Sequence, residues 1–388
     1  MALFLEDTDL SKRKLRVLFV SSNEGFCFRY RVKWMSELLV KNGYIEAHYT
    51  SPTNETELKE FTPWADVIVF QHSQPQYVIK LCEFIKQNKI PQLIVLEFDD
   101  DMFNIEPINI GAYRYWGTKE IKNSKKYLWK DGEDGFCLKD NKERVSLMKQ
   151  AVSLCDLVTV TTPELKEAYG AYNSNIVAID NYINPEVMHY KPRKKKNNGE
   201  PVVIGWQGGD SHYADIASIM PALRAIKQEY KDRVHFKFMG CNFPSLFRKV
   251  KGECLAWVRP SSFYRVYSEL DIDIALVPLL NTPFNKKKSN IKWLEASFYG
   301  IPSLVSNVKP YKQHINSLRN GYLFSDNKQL LVLLKDLIDD EVQRKMIGGM
   351  AREEVLNKWC ITNKDNYIKW YALYIGALQD KIASLYLQ

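Results

Sequence analysis

No apolar run in this 388-residue chain approaches the roughly 18 to 20 residues needed to cross a bilayer, so no membrane insertion is expected. The N-terminus carries Glu6, Asp7 and Asp9 where a secretion signal would have its basic region, which points to a cytoplasmic protein. The seven cysteines, at 27, 82, 137, 155, 241, 254 and 360, form no C-x-x-C pair and keep no regular spacing. That excludes a disulfide framework and gives a zinc site no support. No G-x-x-x-x-G-K stretch is present, which removes the P-loop nucleotidases. The first apolar strand is followed by Ser-Ser-Asn-Glu-Gly, so the glycine fingerprint of a dinucleotide oxidoreductase is missing too.

What is present is a folded composition, 45% hydrophobic and 26% charged, in a chain long enough for two domains. A net charge of +8 favours a polyanionic partner, either nucleic acid or a phosphorylated small molecule. Short apolar strands alternate with helical patterns along most of the sequence. Strands are expected at 15–20, 64–70, 92–97, 157–161 and 175–179, and again from 201, at 234–239, 272–277 and 303–306. Helices are expected between them, at 76–87, 143–154, 163–169, 214–230, 289–298, 328–338 and 340–357, with a helical aromatic tail over 363–386. Strands separated by helices imply crossover connections and parallel sheets. The fold class is therefore α/β, with two Rossmann-like doubly wound domains facing a cleft. The expected division is an N-terminal domain over 1–190, a polar linker over 191–200, a C-terminal domain over 201–360 and a last helix over 361–388 that returns to the N-terminal domain.

Residues 103–150 break the rhythm with Tyr113, Tyr115, Trp116, Tyr127 and Trp129 among Arg114, Lys122, Lys125, Lys126 and Lys130. One reading is an ordered insertion whose rings cover the sheet. The other is an acceptor-binding surface of stacking rings and cations.

The densest chemistry lies at Lys286-Lys-Lys-Ser-Asn290-Ile-Lys292-Trp-Leu-Glu295, at the opening of a helix just after a strand. Lys287, Lys288 and Lys292 supply cations, and Ser289 and Asn290 supply a hydroxyl, an amide and helix-terminal donors. A diphosphate attached to a ribose would find complementary groups there. A solvated lysine run is the alternative. The turn from Gly205 to Asp215 faces this role from another strand end, with Gly208 and Gly209 allowing close backbone approach and Ser211 and His212 as donors. His212 also reads as an ordinary helix cap. In the N-terminal half, Gly25, Arg29 and Arg31 follow the first strand, and Arg29 reads either as a site residue or as a helix salt bridge. His72 ends another strand, with a packed loop histidine as its alternative. Asp100 lies in Glu97-Phe-Asp-Asp-Asp101, where one carboxylate would orient an acceptor hydroxyl, act as a base or stabilise a sugar cation. Asp271-x-Asp273 matches a metal-binding D-x-D only superficially, and no metal is assigned.

Several landmarks occur in order: Val158 to Thr162 before Pro163-Glu-Leu, Gly205-Trp-Gln-Gly-Gly209 followed by His212, and Asp271-Ile-Asp-Ile-Ala-Leu-Val-Pro278. Pro283-Phe-Asn, Lys288-Ser-Asn, and Leu294-Glu295 before Gly300-Ile-Pro302 complete the set. With them the chain resembles, over nearly its full length, the nucleotide-sugar-dependent glycosyltransferases of the GT-B fold, in particular a retaining group with many bacterial and phage members. The resemblance implies transfer of a sugar from a nucleotide-diphosphate donor to a hydroxyl-bearing acceptor, with no further cofactor. It matches Glu295 to the carboxylate that bonds the donor ribose, and sets Gly25 and Arg29 near the diphosphate and sugar. Lys287 stands where the family pattern carries another glutamate, which suits a phosphate or a different sugar. The resemblance also makes His72 a contact to the transferred sugar, through ring or backbone. A phage-like origin would place the protein in a host cytoplasm and makes a hydroxymethylated DNA base a candidate acceptor. The runner-up is a catalytically silent protein that binds a nucleotide sugar or nucleic acid.

Overall fold

The computed structural model describes residues 12–22, 24–71, 74–123, 126–192, 199–240 and 243–386. The chain forms two compact units: 1–103 with 139–181 and 361–388, and 104–138 with 182–360. In chain order the strands are β1 (Leu15–Ser21), β2 (Ile45–Thr50), β3 (Val67–Gln71), β4 (Leu93–Phe98), the hairpin β5 (Ile121–Asn123) and β6 (Lys126–Trp129), β7 (Leu157–Val160) and β8 (Ile176–Ala178). They continue as β9 (Val202–Gln207), β10 (Val234–Met239), β11 (Glu253–Leu255), β12 (Ile274–Val277), β13 (Ser303–Ser306) and β14 (Tyr322–Phe324).

The first unit holds a six-stranded sheet in the order β2-β1-β3-β4-β7-β8, with every pair parallel. Strands β3 and β4 are buried along their whole length, as expected for Val/Ile/Leu runs covered on both faces. The crossover helices start where the sequence provides caps. Thr162 accepts a hydrogen bond from the Leu165 amide at 3.2 Å, and Pro163 opens the helix Pro163–Tyr169. The tail forms the helix Lys364–Tyr386, which joins this unit through buried Trp370 and Tyr374. Lys381 Nζ fastens it by donating to Asp156 Oδ2 at 2.7 Å and to the Gln92 carbonyl at 2.6 Å.

The second unit holds another six-stranded parallel sheet, ordered β11-β10-β9-β12-β13-β14. This is the Rossmann order, in which the crossovers reverse direction between β9 and β12. Its core joins Ile204, Trp206, Leu276 and Leu304 of the sheet to Ile216, Leu223 and Ile226 of the helix Tyr213–Tyr230.

Residues 104–138, expected inside the N-terminal domain, pack with the second unit instead. Tyr113, Trp129 and Phe136 form a small core of their own, with ring centroids 5.4 to 5.9 Å apart. Trp129 Nε1 donates to the Pro107 carbonyl at 2.9 Å, and the Phe284 amide donates to Glu106 Oε1 at 3.2 Å. The excursion is thus tied to the segment that carries the lysine cluster. Tyr115 stays exposed, and Lys122 Nζ lies 5.4 Å from the Tyr127 ring centroid. Lys125 and residues 193–198 of the expected linker lie outside the described residues. Among the described residues, no helix is long and apolar enough to cross a membrane.

Candidate functional site

In an open α/β sheet, ligands bind beyond the carboxyl ends of the strands where the order reverses. In the second unit that point lies between the ends of β9 and β12. Strand β9 stops at Gln207, and the chain turns through Gly208 and Gly209 into a single helical turn, Asp210–His212, and then the helix Tyr213–Tyr230. The two glycines differ in what they permit. A Cβ on Gly208 would sit 2.6 Å from the Trp206 indole, so glycine there is required by packing. A Cβ on Gly209 would meet nothing within 4 Å, which leaves its backbone open to a ligand.

After β12, the segment Pro278–Asn290 is laced back onto the sheet. The Leu279 amide donates to Ser306 Oγ at 2.8 Å, and the Leu280 amide to Asp215 Oδ1 at 2.8 Å. A single turn, Asn285–Lys287, then leads to the helix Ile291–Phe298. Lys288 Nζ lies 4.7 Å from the Phe284 ring centroid. Asn290 occupies the N-cap position but makes no side-chain cap bond; it is only 5% exposed, and its Nδ2 is buried without a partner. An unsatisfied buried amide at a helix N-terminus marks a place where an anion would be bonded.

Lys292 and Glu295 project from the first turns of this helix and meet on Gln207. Lys292 Nζ donates to the Gln207 carbonyl at 3.0 Å and lies 3.5 Å from its Oε1. Gln207 Nε2 donates to Glu295 Oε2 at 2.6 Å. Burial pulls the Lys292 ammonium down to about 8 with help from Lys288, while Glu295 and Asp215 oppose the change. Lys292 therefore remains a cation at neutral pH.

His212 sits across from it. Its Nδ1 lies 2.7 Å from Asp215 Oδ2, and it makes no side-chain cap bond. Burial, reinforced by the Lys292 and Lys288 charges, holds the imidazole down to about 4, whereas Asp215 pulls the other way. Asp215 is 3% exposed and is also bonded by Asn285 Nδ2 at 3.2 Å.

The second unit thus brings Gly208, Gly209, Ser211, His212, Lys287, Lys288, Ser289, Asn290, Lys292 and Glu295 to two neighbouring loops at one strand-order reversal. Gln207, Asp215 and Asn285 complete the arrangement and were not singled out from sequence. Gln207 and Asp215 lie inside or at the end of the Gly205–Asp215 turn, and Asn285 closes the Pro283-Phe-Asn landmark, so position was the only available signal. Asp273 serves the fold by clamping β9: its amide donates to the Val203 carbonyl at 2.7 Å, and its Oδ2 accepts from the Val203 amide at 2.7 Å. No cluster of three or more His, Cys, Asp or Glu suited to a metal occurs among the described residues.

In the first unit Gly25 precedes the short helix Phe26–Phe28, which runs into a π turn, Arg29–Lys33. Such turns accompany functional segments often. Arg29 Nε is buried without a hydrogen-bond partner, and Arg29 makes no salt bridge among the described residues. Arg31 is instead the paired one, locked to Glu97 in the core at 2.7 Å. Asp100 is partly exposed; its carbonyl accepts from Tyr169 Oη and from the Met102 amide, each at 3.1 Å. His72 lies outside the described residues.

Residues 220–364 match a family model described as "Glycosyl transferase-like". None of the curated proteins matches the chain. Among solved structures, HepE of Anabaena in complex with UDP is 10% identical, with a TM-score of 0.55, over 97% of this chain and 100% of its own. The sucrose-phosphate synthase of Thermosynechococcus elongatus is 13% identical, with a TM-score of 0.60, over 96% and 100%. A glycosyltransferase of Rickettsia africae is 12% identical, with a TM-score of 0.61, over 94% and 99%. The chain therefore has the GT-B fold, two Rossmann-like units in one polypeptide, and its residues 220–364 are glycosyltransferase-like.

Proposed function

We propose that this protein transfers a sugar from a nucleotide-diphosphate donor to a hydroxyl-bearing acceptor. The observation that carries the reading is the Lys292–Gln207–Glu295 constellation at the strand-order reversal of the second sheet. Glycosyl transfer leaves a diphosphate that gains negative charge as the sugar becomes oxocarbenium-like. Lys292 and Lys288, together with the open helix N-terminus at Asn290, stabilise that charge. Glu295, braced by Gln207, accepts from the ribose hydroxyls. The UDP held by HepE, a protein of the same fold, supports a nucleotide in this role. Retention of anomeric configuration follows the family resemblance. Following the resemblance, Gly25 and Arg29 are assigned to the diphosphate and sugar, His72 to the transferred sugar, and Lys287 to a phosphate or the sugar; Asp100 is assigned to the acceptor hydroxyl or the sugar cation.

The acceptor we favour is a hydroxymethylated base in DNA. The +8 net charge and the exposed rings of Tyr115 and Tyr127 support it. Calorimetry with UDP-, GDP-, ADP- and TDP-sugars should give binding for at least one donor, and turnover with hydroxymethylated duplex should give a glycosylated base. The anomeric proton coupling of that product reads the stereochemistry directly. Failure of every donor to bind would overturn the reading, whereas binding without turnover on any acceptor would leave a binding protein. Glu295→Ala should weaken nucleoside-diphosphate binding by about 10- to 100-fold, in keeping with hydrogen bonds to a charged group, and leave inorganic diphosphate binding near wild type. Equal losses for both ligands would remove Glu295 from the ribose.

A further inference from the structure

His212 reads from sequence as a phosphate donor, but its surroundings give it the opposite polarity. Asp215 Oδ1 already accepts from the Leu280 amide at 2.8 Å and from Asn285 Nδ2 at 3.2 Å. An ionised carboxylate has no proton to donate, so the 2.7 Å contact between Oδ2 and His212 Nδ1 requires the hydrogen on Nδ1. The imidazole side chain keeps 13% of its surface exposed, and Nε2 makes no hydrogen bond among the described residues. The two lysines nearby, Lys288 and Lys292, disfavour a second proton on the ring. A neutral ring with its hydrogen on Nδ1 presents a lone pair at Nε2. A lone pair repels a phosphate oxygen and attracts a hydroxyl.

We propose that Asp215 is a positioning residue that fixes His212 with its hydrogen on Nδ1, so that Nε2 accepts a hydrogen bond from a hydroxyl of the sugar nucleotide. The inference rests on the donor reading above and deepens it. Labour is divided within the pocket: the lysines and the helix N-terminus take the diphosphate, and His212 reads a neutral hydroxyl beside it. Asp215 does more than orient the ring. By bonding Leu280 and Asn285 as well, it ties the Asp210–His212 turn to the lysine-bearing loop, so ring orientation and loop position are set by one carboxylate.

Two measurements on the full chain test this. Nitrogen-15 NMR of the histidines, with His212 assigned by the signal lost in His212→Gln, should show the Nδ1–H form in wild type. Asp215→Asn should convert it to the Nε2–H form, because an asparagine amide donates where the carboxylate accepted. A wild-type ring protonated on Nε2 would overturn the proposal. Calorimetry then compares inorganic diphosphate, the nucleoside diphosphate and the sugar nucleotide on His212→Phe, which leaves Asp215 in place. Loss of roughly tenfold for both nucleotides assigns the hydroxyl to the ribose, and loss for the sugar nucleotide alone assigns it to the transferred sugar. Either result supports the proposal. Unchanged affinity for both nucleotides, or an equal loss for inorganic diphosphate, would overturn it while the donor reading stands. Failure of wild type to bind any nucleotide would overturn both.

Discussion

Lys292→Met should lower kcat by about two to three orders of magnitude without lowering the melting temperature. The size follows from the position of the charge. A donor aimed at the atom that gains charge in the transition state typically contributes about 100- to 1,000-fold, and more so in a site from which water is excluded. Lys292 is held by the Gln207 carbonyl at 3.0 Å at the mouth of the helix Ile291–Phe298, so little reorganisation is needed when the diphosphate leaves. Methionine fills nearly the same volume and removes the ammonium. Burial already opposes that ammonium, so neutralising it relieves a desolvation cost, and thermal unfolding should be unchanged or shifted upward. A parallel fall in kcat and melting temperature would mean that Lys292 holds the helix rather than the leaving group.

The same residue sets the expected pH dependence. Its ammonium titrates at about 8, whereas His212 titrates at about 4. Between about pH 5 and 7 neither group changes charge, nor does the diphosphate diester of a sugar nucleotide, which lacks the terminal phosphate that titrates at about pH 6, so sugar-nucleotide affinity should be flat. Above about pH 8, binding must restore a proton to Lys292, and affinity should fall by up to about tenfold per pH unit until the bound form also titrates. Lys292→Met should abolish this slope. The effect on stability has the opposite sign: the unfolded chain, with an ordinary lysine near 10.4, binds the extra proton between the two values, so Lys292 makes folding more favourable as pH rises through that window. His212 is lowered as well, and it withdraws stability as pH falls from about 6.5 towards about 4.

How much of this could be read from sequence depended on whether the cause was local. The strands Val234–Met239 and Ser303–Ser306 and the helix Pro163–Tyr169 fall where the apolar runs and their flanking breakers put them. Strand β2 went unread because it lies at a sheet edge, where Glu46 and Tyr49 are exposed and the alternation is spoiled. The edge strand β11, only three residues long, carries no pattern at all. The lysine cluster and Glu295 were legible because they sit together on one stretch of chain. Gln207 and Asp215 gain their meaning from partners 88, 70 and 65 residues away, brought together by the order β9-β12. Neighbouring arginines divided in the same way. Sequence favoured Arg29 over Arg31 without being able to show that Arg31 is wholly enclosed by groups from β4, β7 and the segment after β8.

That enclosure makes Arg31→Met the largest expected loss of stability, about 3–5 kcal/mol in the first unit. Arg31 is 1% exposed and spends its donors on Glu97 Oε1 at 2.7 Å, the Ile179 carbonyl at 2.5 Å, Asn181 Oδ1 at 3.1 Å and the Val160 carbonyl at 3.2 Å. Its guanidinium carbon lies 4.7 Å from the Trp370 ring centroid, so the pair also anchors the C-terminal helix. Methionine would keep the packing and strand both the carboxylate and the carbonyls. At roughly 2–4 °C per kcal/mol for a domain of this size, the unfolding midpoint of the first unit should fall by about 6–20 °C. Burial already holds the Glu97 carboxyl above the usual range despite Arg31 and Thr159. A carboxyl raised in the folded state is harmless below its unfolded value and destabilises increasingly as pH rises through the folded one. The deficit of Arg31→Met should therefore shrink on going from pH 8 to pH 5, where Glu97 can take up a proton. Adding Glu97→Gln should recover part of the loss at pH 8 by removing the stranded charge. A deficit independent of pH and untouched by Glu97→Gln would show that the cost lies in the abandoned carbonyls and the Trp370 contact rather than in the ion pair.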